Sequence, residues 1–122
     1  MKILLLDDDA FLRDMYATKF SEHKHTVDAA ESPTIALSKL EKNNDYDVVL
    51  LDMVMPGMTG IDFIETAKER FPDFKAKYIV LSNQGQEEDI SKAKAAGAIG
   101  YIIKAECIPS DVVTKVEKLT SK

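Results

Sequence analysis

Short apolar runs alternate five times with segments in which apolar residues recur every three or four positions. Short runs bounded by polar residues are typical of strands buried on both faces, and the longer spacing is typical of helices. This alternation predicts an α/β fold with a parallel sheet. The predicted strands are 2–6, 26–29, 47–51, 77–82 and 99–103. The second strand is shorter and more polar than the others, so we expect it at a sheet edge.

Capping residues mark the ends of the predicted helices. Ser32 followed by Pro33 is typical of an N-cap and a first helical residue. Thr59 and Asp62 have the spacing of a capping box, and Gly97 suits the left-handed position after a helix. The predicted helices are 10–22, one from Pro33, one from Thr59, 86–96, and one from Pro109. Helix 86–96 carries few large apolar residues, so we expect it to be the least firmly anchored.

Composition and charge exclude several classes of protein. A length of 122 residues suits one domain, 1–122, with a sizeable core. A net charge of -5 with scattered Lys and Arg argues against direct nucleic-acid binding. No apolar run is long enough for a membrane span or a signal peptide, so we expect a cytoplasmic protein with no membrane partner. The single Cys107 excludes an internal disulfide and a multi-cysteine zinc site.

Charged residues follow three of the predicted strands. Asp7 and Asp8 follow the first strand, Asp52 the third and Lys104 the fifth. Ligands of parallel α/β sheets bind outside the carboxyl ends of the strands. If these strands are neighbours, several carboxylates and one ammonium surround a single point. Carboxylates crowded in this way repel one another unless a cation joins them.

The chemistry of these side chains favours Mg²⁺. The Pro56-Gly57 turn after the third strand can present the Asp52 carboxylate at the sheet edge and aim the Val54 carbonyl back toward it. A ligand set made only of oxygen suits Mg²⁺, which keeps several waters and bridges to phosphate. With Mg²⁺ the cluster becomes a phosphoryl-binding site in which one carboxylate can act as a nucleophile.

Two further side chains complete this hypothetical phosphoryl site, although each also has an ordinary interpretation. Lys104 can neutralise phosphoryl oxygen charge, and the Ser82 hydroxyl after the fourth strand can donate a hydrogen bond. Alone, Lys104 would be typical of a solvated lysine and Ser82 of a turn residue. Asp9 is assigned to helix capping, Tyr101 alone would be typical of strand packing, and His25 in a polar turn is expected to be solvated.

Four segments of the chain resemble the receiver domains of two-component response regulators. They are 2–9 with its Asp triplet, 47–60 with an Asp-x-x-Met-Pro-x-x-x-Gly pattern, 79–82, and 100–104 with its final Lys. The resemblance covers essentially the whole chain, with every motif in order. It implies a flavodoxin-like, doubly wound (βα)5 sandwich with a five-stranded parallel sheet of order 2-1-3-4-5.

The resemblance also implies roles for the acidic residues. Asp52 would be the phosphoacceptor, with a sensor histidine kinase or phosphotransfer protein as its partner. Asp7 and Asp8 would hold Mg²⁺ together with Asp52 and the Val54 carbonyl. The chain would then catalyse its own phosphorylation and slow dephosphorylation, and it would not be an enzyme acting on outside substrates.

For the remaining residues, the resemblance implies phosphoryl binding and switching. Ser82 and Lys104 would contact the phosphoryl group, while Ser82 and Tyr101 would form the switch. The surface made by the fourth helix, fifth strand and fifth helix would bind a downstream effector protein, with the chain a monomer or a phosphorylation-dependent dimer.

Two residues depart from the family pattern. Ala105 follows Lys104 where the family usually has Pro, often after a cis bond. A non-proline cis bond costs about 2.5–4 kcal/mol, so we expect a trans bond and a differently built loop. Asn83 is bulkier than the usual Ala or Gly, and we expect it to narrow access to Asp52 and to slow phosphoryl transfer or hydrolysis.

Three alternatives remain open at this point. A haloacid-dehalogenase-type phosphatase also uses an Asp nucleophile with Mg²⁺, but it needs a second Asp where Val54 stands. A flavodoxin-like cofactor binder needs a Ser/Thr/Gly-rich loop after the first strand, where this chain has carboxylates. A degenerate receiver could act as a constitutive binding module; the intact acidic site argues against it and Ala105 favours it.

Overall fold

The computed structural model describes residues 1–43, 45–83 and 85–121. Within these residues, five parallel strands form the central sheet and two short strands form a separate antiparallel hairpin. The strands in chain order are β1 (Lys2–Leu6), β2 (Thr26–Ala30), β3 (Val48–Leu51), β4 (Val54–Met55), β5 (Met58–Thr59), β6 (Lys77–Ser82) and β7 (Ala98–Ile103). The sheet order is β2-β1-β3-β6-β7. Without the β4–β5 hairpin this is the predicted order 2-1-3-4-5, with β2 at an edge as expected.

Helices connect consecutive strands of the sheet. They are α1 (Ala10–Glu22), α2 (Pro33–Lys42), α3 (Gly60–Arg70), α4 (Glu87–Ala96) and α5 (Pro109–Thr120). Side chains cap three of them as predicted: Asp9 accepts from the Leu12 amide, Ser32 from the Ile35 amide and Thr59 from the Asp62 amide, each at 3.1–3.2 Å. Capping satisfies amide groups that the first helical turn would otherwise leave without a partner.

The helices cover both faces of the sheet and create two hydrophobic cores. On one face, α1 and α5 bring Tyr16, Phe20 and Val113 against alternate strand residues. On the other face, α2, α3 and α4 pack over the remaining strand residues. All four residues of β3 are buried, because both of its faces are covered. This explains why the strands are continuous apolar runs without polar alternation.

Helix α4 is the least deeply embedded of these helices. Ala93 is its buried residue, and Gln86 at its N-cap makes no side-chain capping bond. Gly97 ends the helix at φ +120°, in the left-handed region that favours glycine. The scarcity of large apolar residues had predicted this weak anchoring.

Two features differ from the sequence-based expectation. The β4–β5 hairpin was predicted only as a turn, because two-residue strands leave no periodicity to detect. The prediction that His25 is solvated was wrong: its side chain is 10% exposed, and Nε2 lies 2.8 Å from Oε2 of Glu117. The two residues are 92 positions apart, so only the fold brings them together. None of the described helices combines the length and apolarity needed to cross a membrane.

Candidate functional site

The acidic residues identified in the sequence leave neighbouring strands at the same level. Leu6 at the end of β1 pairs with Leu51 at the end of β3. Asp7 and Asp52 therefore emerge side by side, and the Asp52 amide donates to the Leu6 carbonyl at 3.2 Å. One carboxylate oxygen from each of Asp7, Asp8 and Asp52 lies within 4.8 Å of the other two. The structure thus assembles the predicted cluster.

Lys104 joins two members of this cluster. Its Nζ donates to Oδ2 of Asp52 at 2.8 Å and to Oδ2 of Asp7 at 2.9 Å. Burial, the largest influence, lowers the pKa of Lys104, but the hydrogen bonds and charges of Asp52 and Asp7 outweigh it, so the pKa is raised. The side chain is therefore a fixed ammonium between two carboxylates.

The donor set fits a divalent cation. Three carboxylate groups and one ammonium give the cluster a formal charge of about -2. Asp7 is buried, Asp52 is half-buried and Asp8 is exposed, so the cluster opens to water on the Asp8 side. Mg²⁺ binds oxygen ligands while keeping several of its waters, and a half-open group of carboxylates provides this environment. Asp7, Asp8 and Asp52 are the residues that would hold it.

The loop after β3 holds Asp52 in place. The Val54 amide donates to Oδ1 of Asp52 at 3.3 Å, and the Gly60 amide donates to the Met53 carbonyl at 2.8 Å. The predicted role of the Val54 carbonyl as a metal ligand stays a prediction. A Cβ on Gly60 would lie 2.6 Å from the Asp52 carbonyl oxygen, so only glycine allows α3 to begin this close to the loop.

Ser82 and Tyr101 meet beside the acidic cluster. Ser82 ends β6 and is 1% exposed. Burial raises the pKa of Tyr101 and a hydrogen bond with Ser82 lowers it, with a net increase. The negative charges of Asp89 and, to a smaller extent, Asp52 contribute to that increase of the pKa. The structure therefore brings the two predicted switch residues into contact.

The loop after Lys104 is a single short turn. Residues Lys104–Glu106 form a 3-10 helix closed by the Cys107 amide, which donates to the Lys104 carbonyl at 3.2 Å. Among the described residues every peptide bond is trans, as expected for Ala105. The lysine nevertheless reaches both carboxylates, so alanine at this position does not prevent its placement.

The sequence pattern did not point to Arg13, which also contacts the site. Its Nη1 donates to the Asp7 carbonyl at 2.9 Å. The signal was present: side chains on a helix lean toward its N-terminus, and Arg13 lies four residues after the cap Asp9. Asp9 itself caps α1, as predicted, and its amide also donates to Oδ1 of Asp7 at 2.9 Å.

Comparison with known proteins agrees with this arrangement. A family model described as the response regulator receiver domain matches residues 3–117. This chain belongs to the receiver domain family. Receiver domains are in general signalling domains and not enzymes, and they bind Mg²⁺ through acidic residues. The cluster of Asp7, Asp8 and Asp52 is such a group of acids.

The receiver domain resembles both short and long relatives. It is 38% identical to the chemotaxis protein CheY of Halobacterium salinarum over 109 residues, which are 89% of this chain and 88% of that protein. It is 32% identical over 104 residues to the two-component response regulator PhoP of Pseudomonas aeruginosa, covering 85% of this chain. The chain spans 45% of PhoP and 47% of the transcriptional regulatory protein ResD of Bacillus subtilis, about half the length of each.

Solved structures show the same fold. The chemotaxis protein CheY4 of Vibrio cholerae superposes on this receiver domain with a TM-score of 0.88 and 25% sequence identity, covering 97% of both chains. A receiver domain protein of Methanospirillum hungatei superposes with a TM-score of 0.84 and 28% identity, covering 97% of this chain and 92% of that one.

Proposed function

We propose that this receiver domain is a phosphorylation switch in which Asp52 accepts a phosphoryl group and Mg²⁺ is bound by Asp7, Asp8, Asp52 and the Val54 carbonyl. One observation carries the proposal: the Lys104 ammonium contacts two of three clustered carboxylates, at 2.8 Å and 2.9 Å. An all-oxygen cluster with one fixed ammonium provides the charge neutralisation that phosphoryl transfer requires.

The proposed reaction is a direct displacement at phosphorus. A carboxylate oxygen of Asp52 forms a bond to the phosphorus of a phosphohistidine on a sensor kinase or phosphotransfer protein. The P–N bond breaks, its electron pair stays on the imidazole nitrogen, and that nitrogen takes up a proton. The aspartyl phosphate is then slowly hydrolysed: water attacks phosphorus, the bond to the Asp52 oxygen breaks, and inorganic phosphate leaves.

Each residue of the cluster has a separate task in this reaction. Bound Mg²⁺ would supply positive charge against the phosphoryl oxygens. Lys104 supplies a second positive charge and keeps Asp52 oriented through its hydrogen bond. Buried Ser82 donates its hydroxyl to a phosphoryl oxygen, because it ends the strand next to β3. Asp7 and Asp8 would hold the metal and do not react.

We propose that the phosphoryl group acts on a partner surface through Ser82 and Tyr101. When the Ser82 hydroxyl turns to the phosphoryl group, its hydrogen bond with Tyr101 is lost and the Tyr101 ring takes a new position. Tyr101 also lines a groove between α4, β7 and α5, together with Ile99 and Leu119. The loosely embedded α4 suits a surface that must shift, so a downstream effector protein would read the change there.

The proposal is tested by phosphorylation from a small donor. Wild type, Asp52→Asn and the control Asp73→Asn are incubated with acetyl phosphate and Mg²⁺ and analysed by intact mass. Asp73 is exposed in the loop after α3, far along the chain from the cluster. We expect one hydroxylamine-sensitive phosphoryl adduct on wild type and on Asp73→Asn, and none on Asp52→Asn or without Mg²⁺. An equal adduct on Asp52→Asn would overturn the assignment of Asp52, and the absence of any adduct would favour a constitutive binding module.

A further inference from the structure

We infer that Arg13 is a positioning residue for the magnesium site, because it fixes the peptide group that carries Asp8. The inference rests on the proposed function in one respect: it assumes that Mg²⁺ binds at the acidic cluster. The hydrogen bond from Arg13 to Asp7 goes to the backbone carbonyl and not to the carboxylate. Arg13 therefore acts on the direction of the peptide group and not on the Asp7 ligand oxygens.

The Arg13 side chain ties the first turn of α1 to the segment that follows β1. The Arg13 backbone amide donates to the Asp9 carbonyl at 2.8 Å, as the first turn of a helix requires. Its Nη1 reaches two residues further back and donates to the Asp7 carbonyl at 2.9 Å. That carbonyl precedes the N-cap Asp9 by two residues, so the helix itself offers it no partner. A charge-assisted hydrogen bond therefore holds a carbonyl outside the regular hydrogen-bond pattern of the helix.

Asp8 depends on this bond more than the other two carboxylates do. The Asp7 carboxylate is held by the Asp9 amide and by Lys104. The Asp52 carboxylate is held by Lys104 and by the Val54 amide. In the described part of the chain, no hydrogen bond to the carboxylate of Asp8 is formed, and its side chain is exposed.

The direction of the Asp8 side chain is therefore set by its backbone. The peptide group that joins Asp7 to Asp8 contains the carbonyl that Arg13 holds. Rotation of that peptide group would turn the Asp8 Cα–Cβ bond away from the other carboxylates. A ligand set held in its binding geometry before the metal arrives binds more tightly, because less conformational freedom is lost on binding.

The charge of Arg13 and its positioning role have opposite effects on Mg²⁺ affinity. A guanidinium beside the cluster repels a divalent cation, so its removal would tighten Mg²⁺ binding if charge were its main contribution. Loss of the hydrogen bond to the Asp7 carbonyl would weaken Mg²⁺ binding if positioning were its main contribution. The sign of the change in the dissociation constant therefore separates the two roles.

The test is calorimetric titration of the full chain with Mg²⁺ alone, without a phosphoryl donor. We expect Arg13→Met to raise the Mg²⁺ dissociation constant about tenfold, as loss of an outer-shell partner commonly does. Arg13→Lys keeps the charge and has a single donor nitrogen, so its dissociation constant should lie between those of wild type and Arg13→Met. Arg70→Met is the matched control, since it removes the same charge at the far end of α3, where Arg70 stacks over Phe71.

Arg13→Gln replaces Arg13→Met if thermal unfolding shows that the methionine variant is not folded, and the same tenfold increase is expected. A second readout uses the metal-free protein: the amide resonances of Asp8 and Asp9 should shift in Arg13→Met and stay in place in Arg70→Met. A merely stabilising role would lower the melting temperature without changing the Mg²⁺ affinity of the folded protein.

Two negative results have different meanings. If wild type binds Mg²⁺ and folded Arg13→Met binds it equally or more tightly, the positioning role is wrong while the proposed function stands. If wild type binds no Mg²⁺, the proposed function fails and the inference fails with it.

Discussion

The Lys104 ammonium lies 2.8 Å from Oδ2 of Asp52, the side chain that we propose as the phosphoacceptor. The same ammonium is 2.9 Å from Asp7, so one cation compensates two carboxylates in an environment where Lys104 is 8% exposed. Removing one partner of a buried ion pair is strongly destabilising, because the remaining charge is left without compensation. Bound Mg²⁺ would supply further positive charge to the same carboxylates, so we expect the contribution of Lys104 to stability to be largest without the metal.

Replacing Lys104 by methionine should destabilise the chain mainly when Mg²⁺ is absent. We expect the free energy of unfolding to fall by about 3–5 kcal/mol without Mg²⁺, the range for a broken buried ion pair. In excess Mg²⁺ this loss of unfolding free energy should be smaller, because the metal would neutralise the carboxylates in place of the lysine. Urea unfolding in both conditions measures this, with the exposed Lys115→Met as control. An equal loss with and without Mg²⁺ would contradict the prediction.

Asp8 should matter for metal binding and little for stability. Its side chain is exposed, so Asp8→Asn should change the free energy of unfolding by less than about 0.5 kcal/mol. The same change should weaken Mg²⁺ binding at least about tenfold, because it removes one of three clustered carboxylates. Asp14→Asn is the control, since it removes an exposed charge from α1. Titration with Mg²⁺ decides, and equal affinities for the two variants would count against the site.

Gly60 and Gly57 should respond differently to alanine. In Gly60→Ala the new methyl group meets the Asp52 carbonyl oxygen and the Met53 Cα, which are backbone atoms that yield little. We expect a loss of about 1–3 kcal/mol and slower phosphorylation of Asp52.

Gly57 has open space around it but a φ of +81°. Gly57→Ala should therefore cost about 1–2 kcal/mol through backbone strain and leave the phosphorylation rate unchanged. Urea unfolding and the rate of phosphorylation are measured for both variants. Slower phosphorylation of Gly57→Ala than of Gly60→Ala would show that Gly60 does not position the Asp52 loop.

Tyr78 should make the chain less stable in alkaline solution. Burial raises the pKa of Tyr78 from 10.0 to about 12. Between these pH values the unfolded chain loses the phenol proton while the folded chain keeps it, so the free energy of unfolding falls as pH rises through this range. The two-unit shift corresponds to at most about 2–3 kcal/mol.

Tyr78→Phe should remove this part of the alkaline loss. The raised pKa of Lys104 acts in the same direction, because its ammonium also loses its contribution as pH rises through the folded pKa. The comparison of Tyr78→Phe with wild type cancels the Lys104 effect. Urea unfolding at pH values on both sides of 10 measures the difference, and parallel pH profiles for the two proteins would refute the assignment to Tyr78.

Asn83 should limit the rate of phosphoryl chemistry. It is exposed and directly follows Ser82 at the edge of the site. We expect Asn83→Ala to speed phosphorylation by acetyl phosphate or hydrolysis of the aspartyl phosphate severalfold, without loss of stability. Quench-flow or mass measurement of both rates tests this, and unchanged rates would show that Asn83 does not restrict access.

The order of the elements could be predicted because each one carries its own signal. Apolar runs such as Val48–Leu51 lie between covered faces, and caps such as Thr59 act on amides three residues away. The β4–β5 hairpin was missed because its pairing involves four residues. The burial of His25 was missed because its partner Glu117 is 92 residues distant.

The candidate site was predictable to a similar extent. Its carboxylates and Lys104 follow strand ends, and parallel strands carry their carboxyl ends to one edge. Arg13 lies inside a helix, where a single arginine is ordinarily a solvated residue. Only the folded geometry shows that its guanidinium turns back to the Asp7 carbonyl. The contact of Ser82 with Tyr101 likewise depends on the pairing of β6 with β7.

The hydrogen bond from Lys104 to Asp7 joins residues 97 positions apart. A chain that is still being synthesised thus contains its three aspartates before it contains the lysine that contacts two of them. The site forms only after β7 has added to the edge of the sheet. A partly made or truncated chain would have the aspartates without their ammonium, so the phosphoryl acceptance that we propose would require the whole sheet to be in place.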